Sequence, residues 1–248
     1  MFFVGLGIFQ IPKPLKSSQL SHLSMKVVVL CGGEGVRLKP LTDDIPKPLV
    51  QIRGKPLLEH VVEHFRKSGY TDFVFAIGYK GDRIRDYFKD RKDIKAAFVD
   101  SGNASIIQRI ADAAKTISGM FMVVYGDTIA DVDIRQLLKF HGSHDGQVTV
   151  TTYPMQSPFG LVFADASGKI TEFKEKPVLD YWMNIGFMVV EKKALTYFEK
   201  EDTLMSFFDR LIRKGMLYEY KHKGKHITVN TEKEKADAEK QLDEFYTD

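Results

Sequence analysis

Four short apolar runs constrain the fold open to this chain. Lys26–Cys31, Asp72–Ile77, Ile94–Val99 and Met120–Tyr125 are rich in Val, Ile and Phe, and a glycine follows closely after each. All four read as strands, the first and the fourth as buried ones. Segments of helical period lie between them. Pro56–Lys67 puts Leu57, Leu58, Val61, Val62 and Phe65 on one face, Arg83–Lys89 reads as a short helix, and Asn103–Lys115 groups Ile106, Ile107, Ile110 and Ala114. Strands alternating with helices predict an α/β fold with a doubly wound, mostly parallel sheet. In such a sheet ligands sit beyond the C-terminal ends of the strands. The Gly32–Arg37 loop, the Gly78–Gly81 turn and Asp127 all fall on that edge.

The texture changes after a helical Ile134–His141. Gln147–Tyr153 alternates as a strand, and Gly160–Phe163, Lys169–Phe173 and Asn184–Val190 read as further short strands of an antiparallel extension for a second substrate. Thr203–Lys214 and Glu232–Phe245 close the chain as helices. With 248 residues, 44% of them hydrophobic, the chain can bury one large core, and residues 25–248 read as one domain. Residues 1–24 read as an N-terminal extension, expected to be disordered; they lack the basic start and cleavage site of a signal peptide.

Composition narrows the partners. A net charge of +3 suits a small anionic substrate and is too weak for nucleic acid. No apolar run approaches the roughly 18 residues that span a bilayer, so no membrane partner is expected. Cys31 is the one cysteine of the sequence, which rules out an internal disulfide and points to a reducing, cytoplasmic setting. It reads as a packing residue at the end of the first strand. His60 and His64 stand four apart on a helix, a spacing open to a metal, and are read instead as a solvated flank between Glu59 and Glu63.

The first strand stops at Gly32-Gly33. Gly35 follows, then Arg37, and Pro46-Lys47-Pro48-Leu49 comes soon after. Glycines let backbone N–H groups approach a polyphosphate, and Arg37 and Lys47 bring fixed positive charge to the same anion. Asp127, in Gly126-Asp127-Thr128 at a strand end, fits a hard-oxygen ligand of Mg²⁺; the other reading is a helix N-cap, a role for which Asp131 and Asp133 are better placed. Lys176 in Glu175-Lys176-Pro177 suits a phosphate and Glu175 suits hydroxyls, unless the segment is only a solvated strand end before a Pro turn. Pro158-Phe159-Gly160 and Trp182-Met183-Asn184-Ile185-Gly186 add close-approach glycines, an aromatic surface and an amide, with Trp182 equally readable as core.

Taken in order from Val27 to about Glu239, the motifs GGxGxRLxPLT, PKPL, a strand-end GD, FG, FxEKP and NxG resemble the sugar-phosphate nucleotidylyltransferases. Within that family, Ile77–Gly81, Val99–Gly102, Arg109-Ile110, Tyr125–Ile134 and Trp182–Phe187 are similar to glucose-1-phosphate cytidylyltransferases. The resemblance implies a Rossmann-like fold of the nucleotide-diphospho-sugar transferase type, with an antiparallel sugar-binding extension. It also implies transfer of a nucleotidyl group from a nucleoside triphosphate to a sugar 1-phosphate, with Mg²⁺ as cofactor and a homo-oligomer possible. Carried over by position, it puts Arg37 and Lys47 at the reacting phosphates and Gly32, Gly33, Gly35, Gly78 and Gly102 on the nucleotide. Gly160, Glu175, Lys176 and Asn184 fall on the sugar phosphate, and Asp127 and Asn230 on the metal. Two departures stand out. A Thr-Gly-Gly-Arg type loop near the base is replaced by Asn103–Arg109 without glycine, and a second metal-binding Asp is replaced by Asn230, whose carbonyl oxygen carries no charge. Two other readings stay open: a different phospho-alcohol acceptor such as phosphocholine, and a weakly active nucleotide-sugar-binding regulatory protein. Asn230 favours the second; the intact Arg37 and Lys47 oppose it. A dinucleotide-binding dehydrogenase is a weak third reading, because Arg37 and Pro40 stand where the phosphate-binding helix should open.

Overall fold

A computed structural model describes residues 25–245. The 1–24 extension therefore lies outside the described residues. The strands are β1 (Val27–Leu30), β2 (Gln51–Ile52), β3 (Lys55–Pro56), β4 (Asp72–Ile77), β5 (Lys95–Asp100), β6 (Phe121–Tyr125) and β7 (Thr128–Ala130), followed by β8 (Val148–Gln156), β9 (Leu161–Ala164), β10 (Ile170–Lys174), β11 (Val178–Val190), β12 (Leu217–Lys221) and β13 (His226–Thr228). The helices are α1 (Leu57–Lys67), α2 (Gly81–Phe88), α3 (Ile106–Ala114), α4 (Ile134–His141), α5 (Leu204–Arg213) and α6 (Glu232–Phe245).

A seven-stranded sheet in the order β12-β8-β11-β6-β1-β4-β5 forms the body. The β1–β4, β1–β6, β4–β5 and β8–β12 pairs are parallel, and β11 runs antiparallel to both of its neighbours, β6 and β8. The expected mostly parallel, doubly wound sheet is present. Alternation along β1 shows how it is covered. Val27 and Val29 face a core built with Leu58, Val62 and Phe65 of α1, Ile84 and Phe88 of α2 and Leu137 of α4. Val28 faces the opposite core, with Ile107 and Ile110 of α3 and Phe207 and Leu211 of α5. A third apolar cluster joins Leu38, Val50, Ile52 and Leu57 to Ile129 on β7, Ile227 on β13, Val229, and Ala238 and Leu242 on α6. Leu38 adjoins Arg37 and Val229 adjoins Asn230, so this small core holds those two chain segments together.

β9 and β10 pair with each other in a separate antiparallel hairpin. The antiparallel extension is thus split: β8 and β11 join the main sheet, while the hairpin pairs apart from it with Val162, Phe163, Ile170 and Phe173 exposed. Among the described residues no helix is long and apolar enough to cross a membrane.

One expectation is corrected. His60 and His64 are not a solvated flank; both are largely buried. A ring nitrogen of His60 lies 3.3 Å from the Ile52 carbonyl oxygen, and Nε2 of His64 lies 2.9 Å from that of Val132. Burial holds both imidazoles below their ordinary pKa. The reason is tertiary: the second flank of α1 is covered by the β2–β3 turn and the chain after β7, which the helical period of α1 does not report. Glu59, on the same helix, is also buried and accepts from Arg91 at 2.7 Å.

Candidate active site

The glycine loop leaves the C-terminal end of β1. Gly35 has φ +65 and caps a short 3₁₀ turn, Val36–Leu38. A Cβ at Gly35 would stand 2.7 Å from Cβ of Lys47, so glycine serves both the left-handed backbone and the close approach of Lys47. The Thr42 hydroxyl ties the turn by donating to the Gly35 carbonyl at 3.0 Å. A Cβ at Gly33, by contrast, would meet no protein atom within 4 Å. Nothing in the fold demands glycine there, and the open backbone suits close approach by a ligand.

Lys47 begins the short 3₁₀ turn Lys47–Leu49 and is the hub of the site. Its Nζ lies 2.6 Å from Oδ2 of Asp127 and donates to Oδ1 of Asn230 at 3.0 Å. The same Asn230 oxygen accepts from Nη2 of Arg37 at 3.0 Å. Arg37, Lys47, Asp127 and Asn230 are therefore brought together, with Gly33 and Gly35, around a cleft of about 260 Å³. The β7–β13 ribbon makes this possible. Thr128 pairs with Thr228, which brings the chain before β7 alongside the chain after β13. That ribbon was not expected from the sequence; its signal was the β-branched Ile227-Thr228-Val229 run, short and flanked by His226 and Asn230. Asp127 precedes a strand, which removes the helix-cap reading. Asp133 is the cap, accepting from the Gln136 N–H at 3.0 Å, while Asp131 is held by the Lys225 N–H and by His222.

A second cleft of about 440 Å³ adjoins the first and shares Leu30, Gly33 and Asp127 with it. Gly32, Glu34, Asn103, Ala104, Arg109 and Tyr125 also line it. α3 begins at Ile106, three residues later than its apolar period suggests, because Ser105 caps it by accepting from Gln108 N–H. Asn103 and Ala104 are thereby freed to form the cleft wall. Gly32 and Gly78 pack against the Arg109 guanidinium, and Gly102 turns the loop with φ +59. Asn184 reaches the site through Tyr125: it hydrogen-bonds the phenol, which burial and Asp127 push above its ordinary pKa. The side-chain Oδ1 of Asn184 also accepts from Gly186 N–H at 2.9 Å.

Gly160, Glu175 and Lys176 stand outside both clefts, at the base of the β9–β10 hairpin. A Cβ at Gly160 would lie 2.9 Å from a Glu175 carboxylate oxygen, so those two residues are in contact. Lys176 has φ +44, and its carbonyl oxygen accepts from the Gln156 amide at 3.0 Å. Trp182 is half-buried, with the Lys221 ammonium 4.5 Å from its ring centre. Cys31 is buried, its thiol pKa pushed up by burial, which fits packing and not nucleophilic attack.

A Gly-rich loop at the central strand end, two cations converging on one amide oxygen and a carboxylate beside them line one cleft, and the comparisons give the class of the chain. Residues 26–235 match the nucleotidyl transferase family, so the chain belongs to it. Its relatives place it among the sugar-phosphate nucleotidyltransferases. The probable glucose-1-phosphate cytidylyltransferase of Bacillus subtilis (strain 168) is 32% identical, over 84% of this chain and 92% of that one. The glucose-1-phosphate cytidylyltransferase of Salmonella typhi is 31% identical over 85% and 93%. In fold the chain is similar to a putative glucose-1-phosphate thymidylyltransferase from Bacillus anthracis, with TM-score 0.70, 21% identity and coverage of 87% and 95%. It is similar also to apo-UDP-glucose pyrophosphorylase, with TM-score 0.70, 15% identity and coverage of 89% and 98%.

Proposed function

We propose that Arg37, Lys47 and Asp127 carry out the reaction that membership of this family gives the chain: nucleotidyl transfer from a nucleoside triphosphate to a sugar 1-phosphate, yielding an NDP-sugar and pyrophosphate. The observation that carries this assignment is the single ammonium of Lys47 within 3.0 Å of both Asp127 and Asn230, beside Arg37 and the open backbone of Gly33.

The acceptor phosphate has its second pKa near 6, so it is largely dianionic at neutral pH and needs no general base. Its oxygen attacks the α-phosphorus in line as the bond to pyrophosphate breaks. The work left to the protein is positioning and charge neutralisation. Gly33 and Gly35 admit the phosphates to the backbone. Lys47 and Arg37 hold the oxygens on which negative charge grows, preorganised by Asn230. The family resemblance assigns Lys176 to the sugar phosphate, Glu175 to sugar hydroxyls, and Gly160 and Asn184 to the sugar side; of these Asn184 reaches the second cleft through Tyr125, while the other three stand at the base of the hairpin, outside both clefts.

Asp127 suits Mg²⁺ in kind, as a charged hard oxygen, whereas the Asn230 oxygen accepts from both Arg37 and Lys47 and would have to give up one of them to ligate the ion. Among the described residues no three His, Cys, Asp or Glu side chains gather as a metal cage, so an ion held there draws its remaining ligands from phosphate and water. When bound, Mg²⁺ supplies charge neutralisation on the triphosphate. A cytoplasmic setting fits a triphosphate substrate and a reduced, buried Cys31.

Pyrophosphate release measured for ATP, CTP, GTP, UTP and dTTP against glucose 1-phosphate, mannose 1-phosphate and phosphocholine tests the reading. Turnover is expected with at least one sugar 1-phosphate. Turnover with phosphocholine alone, or with none of them, refutes it.

A further inference from the structure

The glycine loop rests on a guanidinium that the mechanism above does not use. Arg109 interrupts the apolar face of α3 and is 7% exposed. It donates from Nη1 to the Ile77 carbonyl at 2.7 Å and from Nη2 to the Gly102 carbonyl at 2.5 Å, with a longer contact of 3.4 Å to Gly32. Its Nε donates to the Ala104 carbonyl at 3.2 Å. These acceptors belong to the chain at the C-terminal ends of β1, β4 and β5, three adjacent strands. Among the described residues no carboxylate hydrogen-bonds to it: its hydrogen bonds go to backbone carbonyls, and the carboxylates of Glu34 and Asp127 line the same cleft without pairing with it. The chain makes room for it: a Cβ at Gly32 would stand 2.1 Å from Nη1, and one at Gly78 2.6 Å from it.

We propose that Arg109 is a positioning residue for the nucleoside triphosphate. It pins three strand-end loops into the conformation that exposes Gly33, and its charge, which no protein carboxylate hydrogen-bonds among the described residues, faces the bound polyanion. Arg37 and Lys47 line one cleft and Arg109 the other, and the two clefts meet at Gly33 and Asp127. A polyphosphate lying across Gly33 is therefore bracketed by positive charge on both sides. Lysine keeps the charge but presents one nitrogen, which cannot serve carbonyls on three loops as the planar fork does. The proposal rests on the reading of these clefts as a triphosphate site.

Thermal-shift titration of the full chain with each of the five triphosphates, and separately with glucose 1-phosphate, tests it. For the triphosphate that shifts the parent most, Arg109→Lys is expected to weaken affinity at least about tenfold while glucose 1-phosphate affinity changes less than about twofold. In turnover the triphosphate KM rises with kcat within about threefold of the parent. Gly78→Ala, whose Cβ would displace the guanidinium without removing it and also press at 2.9 Å on the Gly32 carbonyl oxygen, is expected to weaken the same triphosphate, and it carries the test if Arg109→Lys does not fold. Adding Gly78→Ala to Arg109→Met should cost less in Tm than adding it to the parent. If no triphosphate shifts the parent, the cleft reading fails and the proposal with it. If the parent responds and both variants bind triphosphate equally well at a lowered Tm, Arg109 is structural only and the proposal is overturned.

Discussion

Replacing Lys47 with methionine separates the electrostatic work of the site from its contribution to stability. The Lys47 side chain is 12% exposed and that of Asp127 29%, so the ion pair at 2.6 Å is shielded but still reached by water. Methionine keeps most of the stem packed against Gly35 and removes only the ammonium. Asp127 is left without its closest cation, yet near enough to solvent to stay hydrated. The stability cost is then that of a partly exposed pair, about 1 kcal/mol, which lowers Tm by about 2–4 °C in a chain of this size. Catalysis loses much more. A fixed cation at the oxygens where charge develops is worth about 2.7–4 kcal/mol, or roughly 10²–10³ in rate. Arg37 and Lys47 also share the Asn230 oxygen, so Arg37 is left with half of the arrangement that orients it. Circular dichroism melting gives the first number, and initial rates of pyrophosphate release at saturating sugar 1-phosphate give the second. A variant that melts within a few degrees of the parent and keeps more than about a tenth of kcat/KM refutes the assignment of Lys47 to the reacting phosphates.

Four other outcomes are expected. Arg37→Ala should keep its fold, since the side chain is exposed, and lose at least about two orders of magnitude in turnover; rates and spectra matching the parent would remove Arg37 from the mechanism. Gly33→Ala introduces no clash with the protein, so Tm should hold while triphosphate affinity falls; unchanged affinity would mean no ligand approaches that backbone. Asp127→Asn should abolish nearly all activity across a Mg²⁺ titration, and Asn230→Asp should lower the Mg²⁺ needed for half-maximal rate unless the added charge repels the triphosphate; if neither variant alters the Mg²⁺ dependence, Asn230 is no part of the metal site. Burial holds His226 at about 4, against 6.5 when unfolded, so the unfolded chain binds more protons between those values. Stability should therefore fall as pH drops from about 6.5 to 4 and flatten below, by up to ~3 kcal/mol in all; urea melts of His226→Gln showing the same slope as the parent would contradict this.

The sequence by itself determined the α/β class, most of the main-sheet strands and several of the residues that line the two clefts. Short apolar, β-branched runs ending at glycines read as strands, and the helical segments between them leave few topologies; that β5 lies at the sheet edge, only partly covered, was not legible in its run. The Gly32–Arg37 loop and Asp127 were legible because strand ends mark the ligand edge whatever the details of packing. Three things were decided only by tertiary structure. The β7–β13 ribbon joins Asp127 to Asn230 across about a hundred residues of chain, and strands this short carry too little period to be read. The burial of His60 and His64 depends on what covers the far side of α1, and helical spacing records only the near side. The weight on Arg109 comes from three loops converging on one guanidinium. A single arginine among isoleucines is visible in the sequence, but its partners are backbone carbonyls, and a carbonyl is the one acceptor every residue has.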